Sequence, residues 1–190
     1  MSTIMLVDDE TSILQALRRI LRIVPCSFGQ HVFDLEVVAF TSARAALEYA
    51  QHNPIDVFLT DYRMPEMDGI TFLKHASKLQ PDACRLVLSG YADLNALTRA
   101  INEVGIERFI GKPWKDYELV AAIAQSLAHR ELLLENRRLA DLMRLDMGDL
   151  SPADMEAKRL ESLEPGITKV NWGPDGSVIL DPEQVTPHES

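Results

Sequence analysis

The feature that most constrains this chain is a rhythm. Short apolar runs, each stopping at a polar or charged residue, alternate with stretches of helical periodicity. Ile4 to Val7 stops at Asp8 and Asp9, Ile55 to Thr60 at Asp61, Arg85 to Leu88 at Ser89, and Arg108 to Ile110 just short of Lys112. A further run, Glu36 to Phe40, leads into Thr41 and Ser42, either of which can cap a helix over Ser42 to Gln51. Thr11 to Ile23 places Ile13, Leu14, Leu17, Ile20 and Leu21 at helical spacing. Helices are also expected over Ile70 to Leu79, over Asp93 to Glu103 and from Tyr117 onward. Five βα repeats of this kind imply a parallel sheet with helices on both faces. The strands alternate little between apolar and polar residues, as strands buried on both sides do. Ligands of such sheets bind beyond the carboxyl ends of the strands. Asp8, Asp9, Asp61, Ser89 and Lys112, from four strands, are therefore expected to converge on one crevice.

The rhythm occupies residues 1–127. The connection Val24 to Asp34 is long for its kind and reads as a longer helix end, a small excursion or a binding loop. The last helix runs on through Arg130 and Arg138 to about Leu145, so residues 128–147 form an extended helix. There Leu132 and Leu139 can take heptad d positions and Asn136 and Met143 a positions, the pattern of a two-stranded coiled coil. A lone amphipathic helix packed on its own domain is the other reading. Residues 148–190 read as a short helix, a hairpin and a polar tail. Ser151, Pro152 and Asp154 make a capping box with proline in the first turn, and Gly166 should end that helix. Ile167 to Trp172 and Ser177 to Leu180, joined at Gly173-Pro174-Asp175-Gly176, read as a β-hairpin that needs a surface to lie on.

The crevice residues suit phosphoryl transfer. A carboxylate can attack phosphorus and form an acyl phosphate. The obstacle is the approach of one anion to another, and a divalent cation with a fixed positive side chain removes it. Asp8, Asp9 and Asp61 offer hard oxygen ligands of the kind Mg²⁺ takes. Lys112 offers a compact positive charge, and Ser89 a hydroxyl donor. The plainer role for Asp8-Asp9-Glu10, capping the first helix through its dipole, stays open for that triplet taken alone.

Leu6-Val7-Asp8-Asp9-Glu10, Asp61-Tyr62-Arg63-Met64-Pro65-Glu66-Met67-Asp68-Gly69, Leu88-Ser89-Gly90-Tyr91 and Lys112-Pro113-Trp114, in that order, resemble the receiver domain of bacterial two-component response regulators. The resemblance covers about the first two thirds of the chain. It implies a flavodoxin-like five-stranded α/β fold, a cis Lys112-Pro113 bond, and Asp61 as acceptor of a phosphoryl group from a histidine kinase or a phosphotransfer protein. It also implies Mg²⁺ held by Asp9, Asp61 and the backbone carbonyl of Arg63, with Asp8 assisting. Lys112 would contact the phosphoryl group, Ser89 would move to it, and Phe109 would swing in behind as an aromatic switch. A permanently buried Phe109 is the alternative. Arg63 and Tyr91 flank the site in such domains and are expected to govern the access of water to the acyl phosphate. Gly90 would let the backbone approach closely.

Other chemistries find less support. The net charge of −10 speaks against a broad nucleic-acid-binding face. Arg130, Arg137 and Arg138 are interleaved with Glu131 and Glu135 and read as a solvated, salt-bridged surface. The five histidines share no metal-ligand spacing and are expected at the surface. Cys26 and Cys84 stand apart, as in a reducing compartment, with Cys84 just before a strand and packed. There is no P-loop or GxGxxG pattern. The N-terminus has no basic region or cleavage site, and no apolar run reaches membrane-spanning length, so a soluble cytoplasmic protein is expected. The leading expectation is a phosphorylation-dependent switch whose output is protein–protein contact, through a homodimer on the extended helix or an unknown output protein. The Lys112-Pro113-Trp114 end and the helix beyond it resemble receivers that precede cyclic-dinucleotide phosphodiesterase domains, but no such domain is present in these residues. A Mg²⁺-dependent phosphatase with Asp61 as nucleophile is a second expectation, weakened by Arg63 where an acid–base carboxylate should stand. A DNA-binding regulator is a third.

Overall fold

The computed structural model describes residues 1–90, 104–146 and 151–163. Its elements are β1 (Ser2–Val7), α1 (Thr11–Ile23), β2 (Ser27–Phe28), β3 (His31–Val32), β4 (Leu35–Phe40), α2 (Ala43–His52), β5 (Val57–Asp61), α3 (Gly69–Leu79), β6 (Cys84–Ser89), β7 (Arg108–Gly111), α4 (Asp116–Asp146) and α5 (Pro152–Leu163). The helix expected over Asp93 to Glu103 and the hairpin expected over Ile167 to Leu180 lie outside the described residues. The chain divides into two compact units, Met1–Glu135 and Asn136–Ser190.

In the first unit five strands form one parallel sheet in the order β4-β1-β5-β6-β7. With the β2–β3 hairpin set aside this is the 2-1-3-4-5 order of flavodoxin-like folds, and its direction reverses at β1. Strand alternation sorts the side chains onto two faces. Ile4, Leu6, Val57, Leu59, Leu86 and Leu88 pack with Leu14 and Leu17 of α1 and with Leu119 and Ile123 of α4. Met5, Val7, Phe58 and Val87 pack instead with Ala46 of α2 and with Phe72 and Leu73 of α3. Phe58 and Phe72 meet edge to face at 5.9 Å, a geometry that aromatic quadrupoles favour.

The ends of the elements differ slightly from the sequence expectation. β5 includes Asp61, and Cys84 begins β6 rather than preceding it. Ser42, not Thr41, caps α2, its hydroxyl accepting from the Ala45 amide. The Val24 to Asp34 connection is the small excursion: β2 and β3 pair antiparallel around Gly29 and Gln30. Gly29 holds φ 61°, which a two-residue hairpin turn of type II′ requires at its first central position. The Phe33 amide donates to the Cys26 carbonyl at 2.8 Å, and both side chains are buried in the core.

Arg130 is a correction. It does not belong to a surface network with Glu131 and Glu135. It pairs with Asp56 at 2.9 Å and donates to the Asp82 carbonyl at 2.8 Å. Asp56 also accepts from the Thr3 amide, so this half-buried ion pair ties α4 to the amino-terminal edge of the sheet. The spacing of acids on α4 points to neighbours on the same helix, whereas folding brings in Asp56, the residue just before β5.

In the second unit, α5 carries the expected capping box. The Asp154 amide donates to the Ser151 hydroxyl at 3.1 Å, and the Ser151 amide donates to the Asp154 carboxylate at 3.2 Å. The helix is described over Pro152–Leu163, and Gly166, expected to end it, lies outside the described residues. Lys158 of α5 pairs with Asp141 of α4 at 2.7 Å.

Candidate functional site

The crevice lies where β1 and β5, adjacent in the sheet, both end. Asp8 follows β1, and its amide donates to the Phe40 carbonyl. Asp61 is the last residue of β5. Both are buried, Asp8 at 1% exposure and Asp61 at 7%. Two carboxylates taken out of water need compensation, and β7 supplies it. The Lys112 amide donates to the Ser89 carbonyl at 2.8 Å, which seats Lys112 beside β6. The cis Lys112-Pro113 bond follows. The Lys112 ammonium then lies 2.6 Å from Asp61 Oδ1 and 3.1 Å from Asp8 Oδ2.

The remaining oxygens are also held. Asp61 Oδ2 accepts from the Arg63 amide at 2.9 Å, and Asp8 Oδ1 from the Glu10 amide at 2.9 Å. Of the acidic triplet, Asp8 accepts from the Glu10 amide, while Glu10, at the N-cap of α1, makes no side-chain capping hydrogen bond. Burial is the largest influence on Asp8 and lifts its carboxyl above the usual range, against the Glu10 amide and Lys112, which hold it down. Burial alone would lower the Lys112 ammonium. Its hydrogen bonds and charge contacts with Asp61 and Asp8 outweigh that and leave it above its ordinary value.

The segment from Tyr62 to Gly69 folds over the crevice. The Tyr62 amide donates to the Leu88 carbonyl and the Gly69 amide to the Tyr62 carbonyl. Asp68 caps α3 by accepting from the Thr71 amide at 2.8 Å. Sequence reasoning gave Gly69 only a loop-breaking role. The structure gives it a second: a Cβ there would run into the backbone carbonyl oxygen of Asp61. No local pattern could have shown this, because the close approach arises only when the loop returns to its own strand. Beside the carboxylates a cavity of about 450 Å³ is lined by Asp9, Tyr62, Arg63, Met64, Pro65 and Asp68.

Of the expected site residues, Asp8, Asp61 and Lys112 are in direct contact. Ser89 ends β6 next to them and is buried. Asp9 is exposed at the mouth. Phe109 is half-buried against the α2–α3 side of the core, not sealed within it. Tyr91 lies outside the described residues. His31, His52, His75 and His129 are exposed, as expected.

Among the described residues no three His, Cys, Asp or Glu side chains form a group able to hold a metal unaided. Mg²⁺ commonly takes one or two carboxylates and completes its shell with water and other oxygens. Asp8 and Asp61 converge on one positive group, the Lys112 ammonium, and the donors at hand are all hard oxygens, so the residues present fit Mg²⁺.

Fold and site together define an α/β domain with a buried carboxylate pair and a lysine at the point where its strand order reverses. Residues 4–124 match the model of the response regulator receiver domain, and the chain belongs to that family. It is similar to the hydrogenase transcriptional regulatory protein HoxA of Bradyrhizobium diazoefficiens, 30% identical over 88% of this chain and 31% of that protein. It thus spans about a third of the length of that relative. Among solved structures it is similar to the signal receiver domain of an HD domain-containing protein from Pseudomonas fluorescens, with 34% identity, a TM-score of 0.59, and coverage of 68% of this chain and 97% of that one. A protein from Neptuniibacter caesariensis gives 37% identity, a TM-score of 0.63, and coverage of 71% and 93%. Among the described residues no helix is long and apolar enough to cross a membrane.

Proposed function

We propose that this chain is a phosphorylation-dependent signalling switch that takes a phosphoryl group on Asp61 from a histidine kinase or phosphotransfer protein. One observation carries the assignment to Asp61: its carboxylate is buried, with Lys112 on one oxygen at 2.6 Å and the Arg63 amide on the other at 2.9 Å. A side-chain oxygen of Asp61 attacks phosphorus as the bond from phosphorus to the donor's imidazole nitrogen breaks, and the imidazole leaves and takes up a proton. Lys112 stays near the oxygens that gain charge in the transition state. Asp8, Asp9, Asp61 and the Arg63 carbonyl would hold Mg²⁺, which when bound offsets the negative charge of the phosphoryl oxygens.

The acyl phosphate brings new acceptor oxygens to the end of β5. The Ser89 hydroxyl, at the end of the adjacent strand, turns toward them. Phe109, half-buried on β7, moves into the space released behind Ser89. Phosphorylation in this way biases a pre-existing two-state equilibrium. The domain is a phosphoacceptor that loses the group by hydrolysis, with Arg63 governing how water reaches it. It acts in the cytoplasm. The organisation is a receiver over residues 1–127, an extended helix over 128–147 and a short helix, hairpin and tail over 148–190. Output runs through protein contact. Leu132, Asn136, Leu139 and Met143, at coiled-coil spacing on α4, are all exposed and suit a homodimer.

The test is incubation with phosphoramidate and Mg²⁺ followed by intact mass spectrometry. One phosphoryl group, labile to base and absent from Asp61→Asn, is expected. Equal labelling of Asp61→Asn would reject the assignment.

A further inference from the structure

We propose that the groove between α1 and the edge strand β4 takes an extended acidic segment of a partner protein as a sixth strand. The proposal goes beyond the switch described above and uses none of its residues.

Helix α1 buries Leu14, Leu17, Ile20 and Leu21 and turns its charged residues outward. Those are Arg18, Arg19 and Arg22, and no Asp or Glu lies between Thr11 and Ile23. A solvated helix face ordinarily mixes both signs. Here three like charges share one face of a chain whose net charge is −10. None of the three makes an ion pair or side-chain hydrogen bond with the described residues. They overhang a groove of about 660 Å³ whose apolar lining is Leu21, Leu35 and Val37.

The second observation concerns the sheet. Among the described residues β4 pairs only with β1, so its other side is an open edge of the described sheet. Exposed edges are usually kept short or charged to prevent stray pairing. The opposite edge strand follows that rule: β7 has four residues and begins with Arg108. β4 is longer and mostly apolar: of its six residues, Leu35-Glu36-Val37-Val38-Ala39-Phe40, five are apolar and half-exposed, and Glu36 is its one exposed charge. A mostly apolar edge beside an unneutralised cationic helix is a surface built for strand addition by an anionic segment.

The geometry agrees. Arg18 and Arg22 are one turn apart, about 6 Å along the helix. Alternate residues of an added strand are spaced about 6.5–7 Å on one face. Carboxylates at every second position can therefore meet successive arginines while the backbone pairs with β4. A second copy of this chain fits poorly, because pairing β4 with itself would set two arginine triplets against each other. The carboxylate of Glu36 gives no relief, since alternation puts it on the sheet face opposite Leu35 and Val37.

The probe is a blocked octapeptide alternating glutamate with threonine, titrated into the ¹⁵N-labelled full chain. Expected are amide shifts confined to α1 and β4, binding that weakens as salt rises, and affinity roughly tenfold lower for the double variant Arg18→Gln/Arg22→Gln. Both arginines are exposed, so that variant should fold and should still accept a phosphoryl group on Asp61 at the unaltered rate. A peptide methylated on alternate amides keeps its charges but cannot complete the ladder, and should not bind. The idea is overturned if no binding occurs, if the methylated or a lysine–threonine peptide binds as well as the parent, or if the double variant binds equally. Shifts on β4 that appear on raising the chain concentration alone would assign the edge to a second copy and overturn it too.

Discussion

Replacing Lys112 with methionine keeps most of the side chain's volume and removes the one described cation between Asp8 and Asp61. The lysine side chain is 25% exposed and reaches both carboxylates, at 2.6 and 3.1 Å. At an effective dielectric constant near 20, each such contact has a gross Coulomb energy of about 4 kcal/mol or more. Desolvation of the ammonium offsets much of that gain. Removing one partner from a fully buried pair costs about 3–5 kcal/mol, and an exposed pair contributes at most about 1. For a site between these limits the loss at pH 7 should be about 2 kcal/mol, a fall in Tm of about 6–10 °C.

The pH dependence separates this cause from lost packing. The folded-state value of Lys112 lies above its usual 10.5, so its stabilisation is complete below that pH and is lost as pH rises through the folded value. Asp8 lies above its usual 3.8. The folded state therefore holds that proton more tightly, and the burden of the ionised carboxylate develops as pH rises from 3.8 through the folded value. Without Lys112 the burden is larger. Urea denaturation of Lys112→Met and the parent, run from pH 3 to pH 11, should show a stability gap widest near neutrality. The gap should narrow below about pH 4 and again above about pH 10.5. A gap constant across that range would refute the electrostatic account and leave packing as the cause.

Two further outcomes follow from burial and close approach. Gly69→Ala should cost about 1–3 kcal/mol by chemical denaturation, and phosphoramidate should label it more slowly, because the new methyl displaces the Asp61 carbonyl; unaltered labelling would mean the loop adjusts without moving Asp61. Burial pushes the Cys26 thiol up to about 11 and the Cys84 thiol up to about 12, so a disulfide reagent at pH 8 should label neither in the native protein and both in urea. Rapid native labelling of either would show that its side of the core opens without global unfolding.

β5 joins two of the chain's charged devices. At its carboxyl end Asp61 meets Lys112. Just before its first residue, Asp56 holds Arg130 of α4. The strand between them, Val57 to Asp61, is buried throughout. A displacement of β5 in response to phosphorylation would thus be felt at the point where α4 is tied to the sheet.

The amino-acid sequence alone determined the α/β class and the positions of the chemistry. Apolar runs and helical spacing are local signals, and a carboxylate at the end of a buried strand is recognisable without knowing what it faces. That is why Asp8, Asp61, Ser89 and Lys112 could be placed at strand ends, and the Ser151 cap identified, from order and spacing. Elements too short to show a period were illegible: β2 and β3 have two residues each. Pairings across the fold were illegible for another reason. Lys112 and Asp8 are 104 positions apart, and Arg130 had acids of its own helix closer in sequence than Asp56. Only the tertiary structure decided which charges meet, that Gly69 must lack a side chain where it crosses Asp61, and that β4 lies at the edge of the described sheet beside three arginines. A charge's partner depends on the return path of the whole chain, because Coulomb attraction and steric contact act through space and take no account of order in the sequence.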